Sequence, residues 1–323
     1  MTKLERIILD FPLIRFLITK SKKVVLPGFN GVPLYEVMAF FYEEVKKVGL
    51  NERAAAIAFN FVMAIPPTSL FLFSLLPHLP LLKKKTIIGQ LTQMIKDIIP
   101  AKEHNTNLIK FVSSFFDESR IGLLSFGFIL LIFFASNGMM GLMRSFNKNY
   151  MGFSKRTGLQ NRWIAIKLTI IIMSLLMGCL LLLIMQGAVM DFIGIKSHLI
   201  KDILNYFRWL FMLALIFFTF GFIYKYAPAV TKRWPLLSPG TILGSSLSVL
   251  ATLGFSLFVN NFGRYNALYG SIGTVIMFMA LIFINSLVLL IGYELNVSIH
   301  SLKVMAEERA KIDAEKQTEP ISP

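Results

Sequence analysis

The stretch NNFGRYNALYGSIG, residues 260–273, is rich in hydrogen-bonding residues and stands between two long apolar runs. Its amide, phenol and guanidinium groups could together bind a phosphate or a carboxylate. The stretch is expected to form a short turn over 260–270 and to begin a helix at 270–273, where free N–H groups attract anions. The candidate substrate-binding residues here are Asn261, Gly263, Arg264, Tyr265, Asn266, Tyr269, Gly270, Ser271 and Gly273.

Polar and helix-breaking residues also occur within the apolar runs. Two adjacent prolines remove two backbone donors, which predicts that the first apolar helix is kinked or interrupted. An acid in the last run needs a partner, because burying a lone carboxylate is costly; Arg53, Arg144 and Arg264 are the candidates. Broken backbone at membrane depth is tolerated where protein or a polar cavity surrounds it. The further candidate substrate-binding residues are Asn60, Pro66, Pro67, Ser136, Asn137, Arg144 and Glu294.

Each of these features also has a purely structural interpretation. The 260–273 stretch could be a tight hairpin in which Asn side chains cap helix ends and Tyr rings anchor at the membrane surface. Asn60 could hydrogen-bond across helices, and Glu294 could lie at the membrane interface, where its charge costs little. The small residues of SPGTILGSS, 238–246, suit close helix contact. From the residues alone, both interpretations stay open.

The sequence offers no catalytic constellation. The four histidines are scattered without metal-ligand spacing, and neither a G-x-S-x-G elbow nor a Walker lysine loop occurs. The single cysteine, Cys179, excludes a disulfide or thiolate framework. We therefore predict that the protein is not an enzyme, that no metal ion or cofactor is bound, and that nucleic acid is not a partner.

Composition indicates an all-α, polytopic membrane protein. Hydrophobic residues make up 55% of the 323, charged residues only 16%, and the mean hydropathy is +0.65. A helix crosses a bilayer with about 20 apolar residues, and backbone groups in hydrocarbon must bond within the helix. Six such runs are present: about 54–76, 121–143, 163–187, 206–226, 236–260 and 270–298.

The distribution of basic residues predicts the orientation. With the N-terminus inside, 21 Lys and Arg flank the spans on the inner side and 10 on the outer side. Basic loops stay in the cytoplasm, so both termini are expected there, in the bacterial inner membrane. Residues 144–162 carry five basic residues and no acid, whereas the Lys83–Lys85 run is a contrary signal.

The sequence outside the spans predicts amphipathic helices and a charged tail. Two helices are expected before residue 50, separated by the breaker VLPGFNGVP, with Pro12 kinking or restarting the first. They could lie on anionic lipid or pack on the bundle as a collar. The outer loop 77–120 is expected to contain one or two short helices. The division is therefore 1–50 cytoplasmic helices, 51–300 transmembrane domain and 301–323 cytoplasmic tail.

Several segments resemble the YihY/virulence factor BrkB family of inner-membrane proteins. The matching blocks include Asn261-Phe262-Gly263, Tyr269-Gly270-Ser271 and Gly292-Tyr293-Glu294-Leu295-Asn296. The resemblance covers roughly 35–300 and implies six membrane helices. It implies no settled activity, because the family's older name, ribonuclease BN, is regarded as a misassignment and transport roles have been proposed. Family members often carry an alcohol or aliphatic pair at Pro66-Pro67.

Three classes of function remain from the sequence. We favour a transporter that moves a lipid, a lipid-linked or another anionic substrate through a cavity formed by broken helices, with anionic lipid headgroups as partners. An ion-coupled carrier of a small solute or cation is the second, and it requires Glu294 in the cavity. The third is a non-transporting envelope scaffold. The sequence does not identify envelope partners or decide whether the protein forms a homo-oligomer.

Overall fold

The fold is all-α and is known here from a computed structural model. The structure describes residues 12–47, 49–75, 88–93, 95, 106, 109–110, 113–114, 121–146, 153–193, 198–261 and 264–318. The helices of ten or more residues in these ranges are α1 Pro12–Ser21, α2 Leu34–Lys47, α3 Leu50–Leu75, α4 Ile121–Phe146, α5 Gly158–Ile193, α6 His198–Tyr226, α7 Pro239–Asn261 and α8 Arg264–Thr318. Within the same ranges, β-structure is limited to an isolated antiparallel bridge between Phe153 and Val230.

Six of these helices, α3 to α8, are long and apolar enough to cross a membrane, which confirms the predicted number of spans. The chain forms two compact units. Unit 1 comprises residues 1–56, 144–156 and 224–323, and unit 2 comprises residues 57–143 and 157–223.

In unit 1, α7 and α8 pack closely because both carry glycine at the contact. A Cβ atom on Gly240 would lie 2.1 Å from the carbonyl oxygen of Gly292. Next to this contact, Asn296 accepts a hydrogen bond from the Gly240 N–H at 2.8 Å and donates one to Ser238 Oγ at 2.9 Å. These contacts fit the packing interpretation of the small residues that open α7.

The turn after α1 and helix α2 form a collar on α8. α1 is described from Pro12 to Ser21, and because residues 1–11 lie outside the described part of the chain, a kink or restart at Pro12 stays a prediction. The predicted breaker is a turn with positive φ at Gly28, Asn30 and Gly31. The turn and α2 then bury apolar side chains against α8, in a cluster of Phe29, Val32, Val37, Leu295 and Ile299.

In unit 2, small residues bring α3 and α4 together. Ala64 of α3 is buried with Leu131 and Ala135 of α4. A Cβ atom on Gly127 would lie 3.4 Å from the backbone of Phe71, so this glycine also permits close approach. Before α4, residues 88–93 are helical, as predicted for the loop after the first span. Most of that loop lies outside the described residues.

The predicted interruption of the first span is not present. α3 continues through Pro66 and Pro67 as one helix. Hydroxyl groups bond to carbonyls beside the prolines: Thr68 Oγ1 donates to Ala64 O at 2.6 Å, and Ser69 Oγ donates to Pro66 O at 2.9 Å. The carbonyls that lose an N–H donor to the prolines are those of Val62 and Met63, four residues earlier, so these hydroxyl bonds lie beside the prolines and do not replace the missing donors. α4 is likewise continuous through Ser136 and Asn137, so these polar positions lie inside intact helices.

The predicted turn over 260–270 and helix start at 270–273 are also wrong. Residues 264–273 are helical and belong to α8, α7 extends to Asn261, and residues 262–263 lie outside the described residues. Gly270 to Gly273 therefore lie well inside α8, where their N–H groups belong to the helix and form no anion site. α8 is 55 residues long in all, and it includes residues 301–318 of the predicted tail.

Candidate functional site

The polar contact that best suits a binding site is between Arg162 and Asn137 in unit 2. Arg162 lies in the second turn of α5, and its Nη1 donates a hydrogen bond to Asn137 Oδ1. The guanidinium carbon lies 5.8 Å from the centroid of the Phe133 ring. Both polar side chains are half-buried. In the described part of the chain, Arg162 contacts no carboxylate, so its charge is bonded to a neutral amide and an aromatic ring.

Asn60 lies beside the same face of α4. A Cβ atom on Gly141 would lie 2.5 Å from Asn60 Nδ2, and one on Gly138 would lie 3.5 Å from the Asn60 carbonyl oxygen. Glycine at 141 therefore provides the space that the half-buried Asn60 amide occupies. The structure thus places Asn60 against Gly138 and Gly141, one and four residues after Asn137 on the same helix.

The remaining predicted site residues of the first two spans are not part of the contact between Arg162 and Asn137. Ser136 is fully buried, and its hydroxyl donates to carbonyls of its own helix, those of Ile132 and Phe133. The ring of Pro67 is buried and that of Pro66 is exposed. Arg144 is exposed and belongs to unit 1. These positions contribute to helix geometry and surface rather than to the contact between Arg162 and Asn137.

Glu294 is buried and paired in unit 1. Its side chain has no exposed surface, and its Oε1 lies 2.6 Å from Arg53 Nη1. Arg53 Nη2 also donates to the Ser145 carbonyl oxygen at 2.5 Å. Of the three predicted partners, Arg53 is therefore the one that forms the pair. Glu294 is therefore buried within the protein, and its position at the membrane interface or in a cavity stays a prediction.

Aromatic residues surround this ion pair. The rings of Tyr293 and Phe146 stack with centroids 3.9 Å apart, and the Tyr293 hydroxyl donates to the Phe146 carbonyl oxygen at 2.6 Å. The Tyr224 hydroxyl donates to the Leu289 carbonyl oxygen at 2.7 Å. Together these contacts fix the backbone of α8 against the ends of α4 and α6 in unit 1.

The residues of the opening stretch are only partly described. Gly263 lies outside the described residues, and the side chains of residues 259–272 are not described either. Asn261 ends α7, while Arg264, Tyr265, Asn266, Tyr269, Gly270 and Ser271 lie on the first two turns and a half of α8. Gly273 is buried. Their role as a site remains a prediction.

Arg162 was missed by the sequence reasoning. It was counted among the five basic residues of 144–162 as a marker of orientation, and the third span was expected to begin one residue later. A sequence signal for an arginine without a carboxylate partner was available, because no Asp or Glu occurs between residues 119 and 190. Among the described residues, no group of three or more His, Cys, Asp or Glu side chains could hold a metal ion.

These features define a multi-pass α-helical membrane protein. The chain belongs to the virulence factor BrkB family, which it matches over residues 41–318. The resemblance predicted from the sequence is therefore confirmed.

Curated relatives cover most of the chain. It is similar to the putative ribonuclease-like protein YfkH of Bacillus subtilis (strain 168), with 27% identity over 279 residues, 84% of this chain and 98% of the relative. A UPF0761 membrane protein of Tolumonas auensis is 24% identical over 270 residues, 81% of this chain and 84% of the relative. A UPF0761 membrane protein of Haemophilus influenzae is 21% identical over 271 residues, with coverages of 83% and 96%. A comparison with solved structures gave no significant match.

Proposed function

We propose that the protein is a carrier that moves an anionic substrate, a lipid or a lipid-linked anion, across the membrane. The observation that carries the proposal is the Arg162–Asn137 contact in unit 2. A guanidinium withdrawn from water is costly unless a negative group balances its charge. An anionic headgroup that reaches Arg162 would supply that balance for part of a transport cycle.

The charge distribution of the sequence supports an anion over a cation. No acid occurs between residues 119 and 190, the stretch that contains both Asn137 and Arg162. Asn60 and Asn137 add neutral amides that can donate hydrogen bonds to phosphate oxygens. The substrate class is therefore one with a phosphate or carboxylate group, and a lipid-borne one fits a site on membrane-crossing helices.

The cation-coupled alternative depended on Glu294 as an available carboxylate. Its ion pair with Arg53 already satisfies that charge, so this alternative has less support. The scaffold alternative has some support from the collar that the turn and α2 build on α8. A scaffold gives no reason for an arginine on a membrane-crossing helix that contacts no carboxylate among the described residues.

The membrane location, the orientation and the partners of the protein are also part of the proposal. We infer a location in the bacterial inner membrane with both termini in the cytoplasm, because 21 basic residues flank the spans on that side against 10 on the other. We further infer that the protein is not a ribonuclease or another enzyme, that its partners are membrane lipids, and that nucleic acid is not among them.

Transport can be measured with purified protein in liposomes. Fluorescent phosphatidylglycerol is placed in both leaflets, a membrane-impermeant quencher is added outside, and the rate at which the inner pool becomes quenched is followed. We expect the protein to accelerate exchange over empty liposomes, and to do so more for phosphatidylglycerol than for fluorescent phosphatidylcholine. Exchange no faster than in empty liposomes would reject unassisted lipid transport, and equal rates for the two lipids would reject selection of anions.

A further inference from the structure

A cluster of basic residues surrounds Tyr226 at the end of α6, in unit 1. The Arg156 guanidinium donates to three consecutive carbonyl groups, those of Tyr226, Ala227 and Pro228, at 3.5, 3.0 and 2.6 Å. The guanidinium carbon of Arg233 lies 5.2 Å from the centroid of the Tyr226 ring, and Lys225 Nζ lies 5.6 Å from it. Three cations are therefore held around one residue.

The backbone holds this cluster in place. Residues 153–156 run beside 229–230 as a short antiparallel pairing: Phe153 bridges Val230, and the Ser154 N–H donates to the Ala229 carbonyl oxygen at 2.6 Å. The side chain of Ser154 bonds to the same oxygen at 3.0 Å. The backbone pairing fixes the segment that carries Arg156, and three hydrogen bonds fix its guanidinium group.

A structural role for Arg156 accounts for only part of the charge. Its three acceptors are carbonyl groups at the C-terminal end of α6, where a cation favourably caps the helix. That helix end carries roughly half a negative charge, against the three full positive charges gathered there. Burial and the nearby Arg233 guanidinium both lower the pKa of Arg156, so the cation lies in an unfavourable electrostatic environment.

No acidic side chain is available nearby in the sequence. Neither of the two segments that build the cluster, residues 144–162 and 225–239, contains Asp or Glu, although together they hold eight Lys and Arg. In the part of the chain that the structure describes, no carboxylate contacts Lys225, Arg156 or Arg233. The positive charge is therefore not balanced by these parts of the protein.

We propose that Arg156, Arg233 and Lys225 form a binding site for a phosphate group, distinct from the Arg162 site. Guanidinium groups bind phosphate through paired N–H donors, which favours phosphate over other anions. Tyr226 is the last residue of a membrane-crossing segment, so the site lies at the level where lipid headgroups begin. The phosphate is that of an anionic lipid or a free phosphate ion. The site holds a bound anion and does not depend on whether the protein transports one.

The test is an equilibrium titration of the full-length protein in a neutral detergent, read by native mass spectrometry. Bound phosphatidylglycerol is counted for wild type, for Arg233→Gln and for Arg156→Gln/Arg233→Gln. We expect the double change to weaken binding by about tenfold or more, since each removes charge-assisted hydrogen bonds. A matched control, Arg309→Gln/Lys311→Gln, removes two exposed cations from α8 and should bind like wild type.

Two further measurements distinguish a lipid headgroup from free phosphate, and a loss of binding from a loss of local structure. Inorganic phosphate is added as a competitor: displacement of the lipid assigns the site to a free phosphate, and persistence of the lipid assigns it to a headgroup. Because Arg156 also supports local structure, Arg233→Gln alone tests the site in a variant whose exposed side chain makes no hydrogen bond to the backbone. Equal affinity in wild type, in Arg233→Gln and in the double variant would overturn the proposal. Transport failure would leave this result unaffected.

Discussion

Arg53 and Glu294 are 241 residues apart in the sequence, and their side chains form an ion pair with a distance of 2.6 Å between Nη1 and Oε1. Glu294 is fully buried and the Arg53 side chain is 10% exposed. The pair therefore ties the first turn of α3 to the middle of α8 inside unit 1. A buried pair of this kind is costly to break, because the remaining charge loses its counter-charge.

Removing one member of the pair should destabilise the protein strongly. We expect Glu294→Gln to lower the free energy of unfolding by about 3–5 kcal/mol, because the Arg53 charge stays buried without its counter-charge. Denaturant titration in mixed micelles, followed by tryptophan fluorescence, measures the change. The double change Arg53→Met/Glu294→Leu removes both charges and should lose less than Glu294→Gln alone. A loss below about 1 kcal/mol for Glu294→Gln would instead match an exposed pair.

The Tyr293 hydroxyl should contribute separately from its ring. Tyr293→Phe keeps the stack on Phe146 but loses the hydrogen bond to its carbonyl oxygen, and we expect a loss of about 1 kcal/mol in unfolding free energy. Tyr293→Leu also removes the stack, which should add about 0.5–1.5 kcal/mol and a packing defect. The same denaturant titration distinguishes them. Equal stability of the Phe and Leu variants would show that the stack contributes nothing.

Gly240 should be intolerant of any side chain. In Gly240→Ala the new Cβ would meet the Gly292 carbonyl oxygen at 2.1 Å, so α7 and α8 must separate, at a cost of about 1–3 kcal/mol. Gly254→Ala is the matched control on the same helix, where a Cβ would meet nothing within 4 Å. That control should be neutral or slightly stabilising, as alanine favours helix by about 1 kcal/mol over glycine. Thermal unfolding measures the Tm of both variants. Equal Tm values for Gly240→Ala and Gly254→Ala would contradict the close contact between α7 and α8.

A change at Gly141 should affect transport more than stability. The Cβ in Gly141→Ala would lie 2.5 Å from Asn60 Nδ2, the end of a flexible side chain that can rotate away. We expect unfolding free energy to change by less than about 1 kcal/mol, while lipid exchange in liposomes slows because the Asn60 amide is displaced. Gly178→Ala in α5, with nothing within 4 Å of the new Cβ, serves as control. Unchanged exchange in Gly141→Ala would remove Asn60 from the site.

The spans and the breaker between the two N-terminal helices could be predicted because their signals are local, whereas packing on lipid and packing on the bundle stayed open for those helices. Apolar length specifies a membrane helix without reference to its neighbours, and the glycines of the breaker indicate positive φ directly. The start of α8 was predicted wrongly because Asn and Gly residues around 260–273 signal a turn locally. The apolar run that follows, about 270–298, continues as one long helix and overrides that preference, and Gly270 and Gly273 are accommodated inside it.

The partners of the polar residues could not be predicted, because they depend on tertiary contacts. Glu294 was recognised as an acid that needs a cation, but three arginines were equal candidates until the fold brought Arg53 to it. Asn137 was recognised as a polar residue at membrane depth, whereas Arg162 was interpreted only as part of a basic loop. The hydrogen bond between them depends on how α4 and α5 pack, which sequence spacing does not determine.

The central claim is that the charge of Arg162 selects an anionic substrate, and one comparison of transport rates tests it most directly. Arg162→Gln, Arg162→Lys and Lys167→Gln are reconstituted in liposomes with fluorescent phosphatidylglycerol, Lys167 being an exposed cation on the same helix. The account predicts that Arg162→Gln slows exchange about tenfold, that Arg162→Lys retains part of it, and that Lys167→Gln matches wild type. Exchange in Arg162→Gln as fast as in wild type would contradict the account.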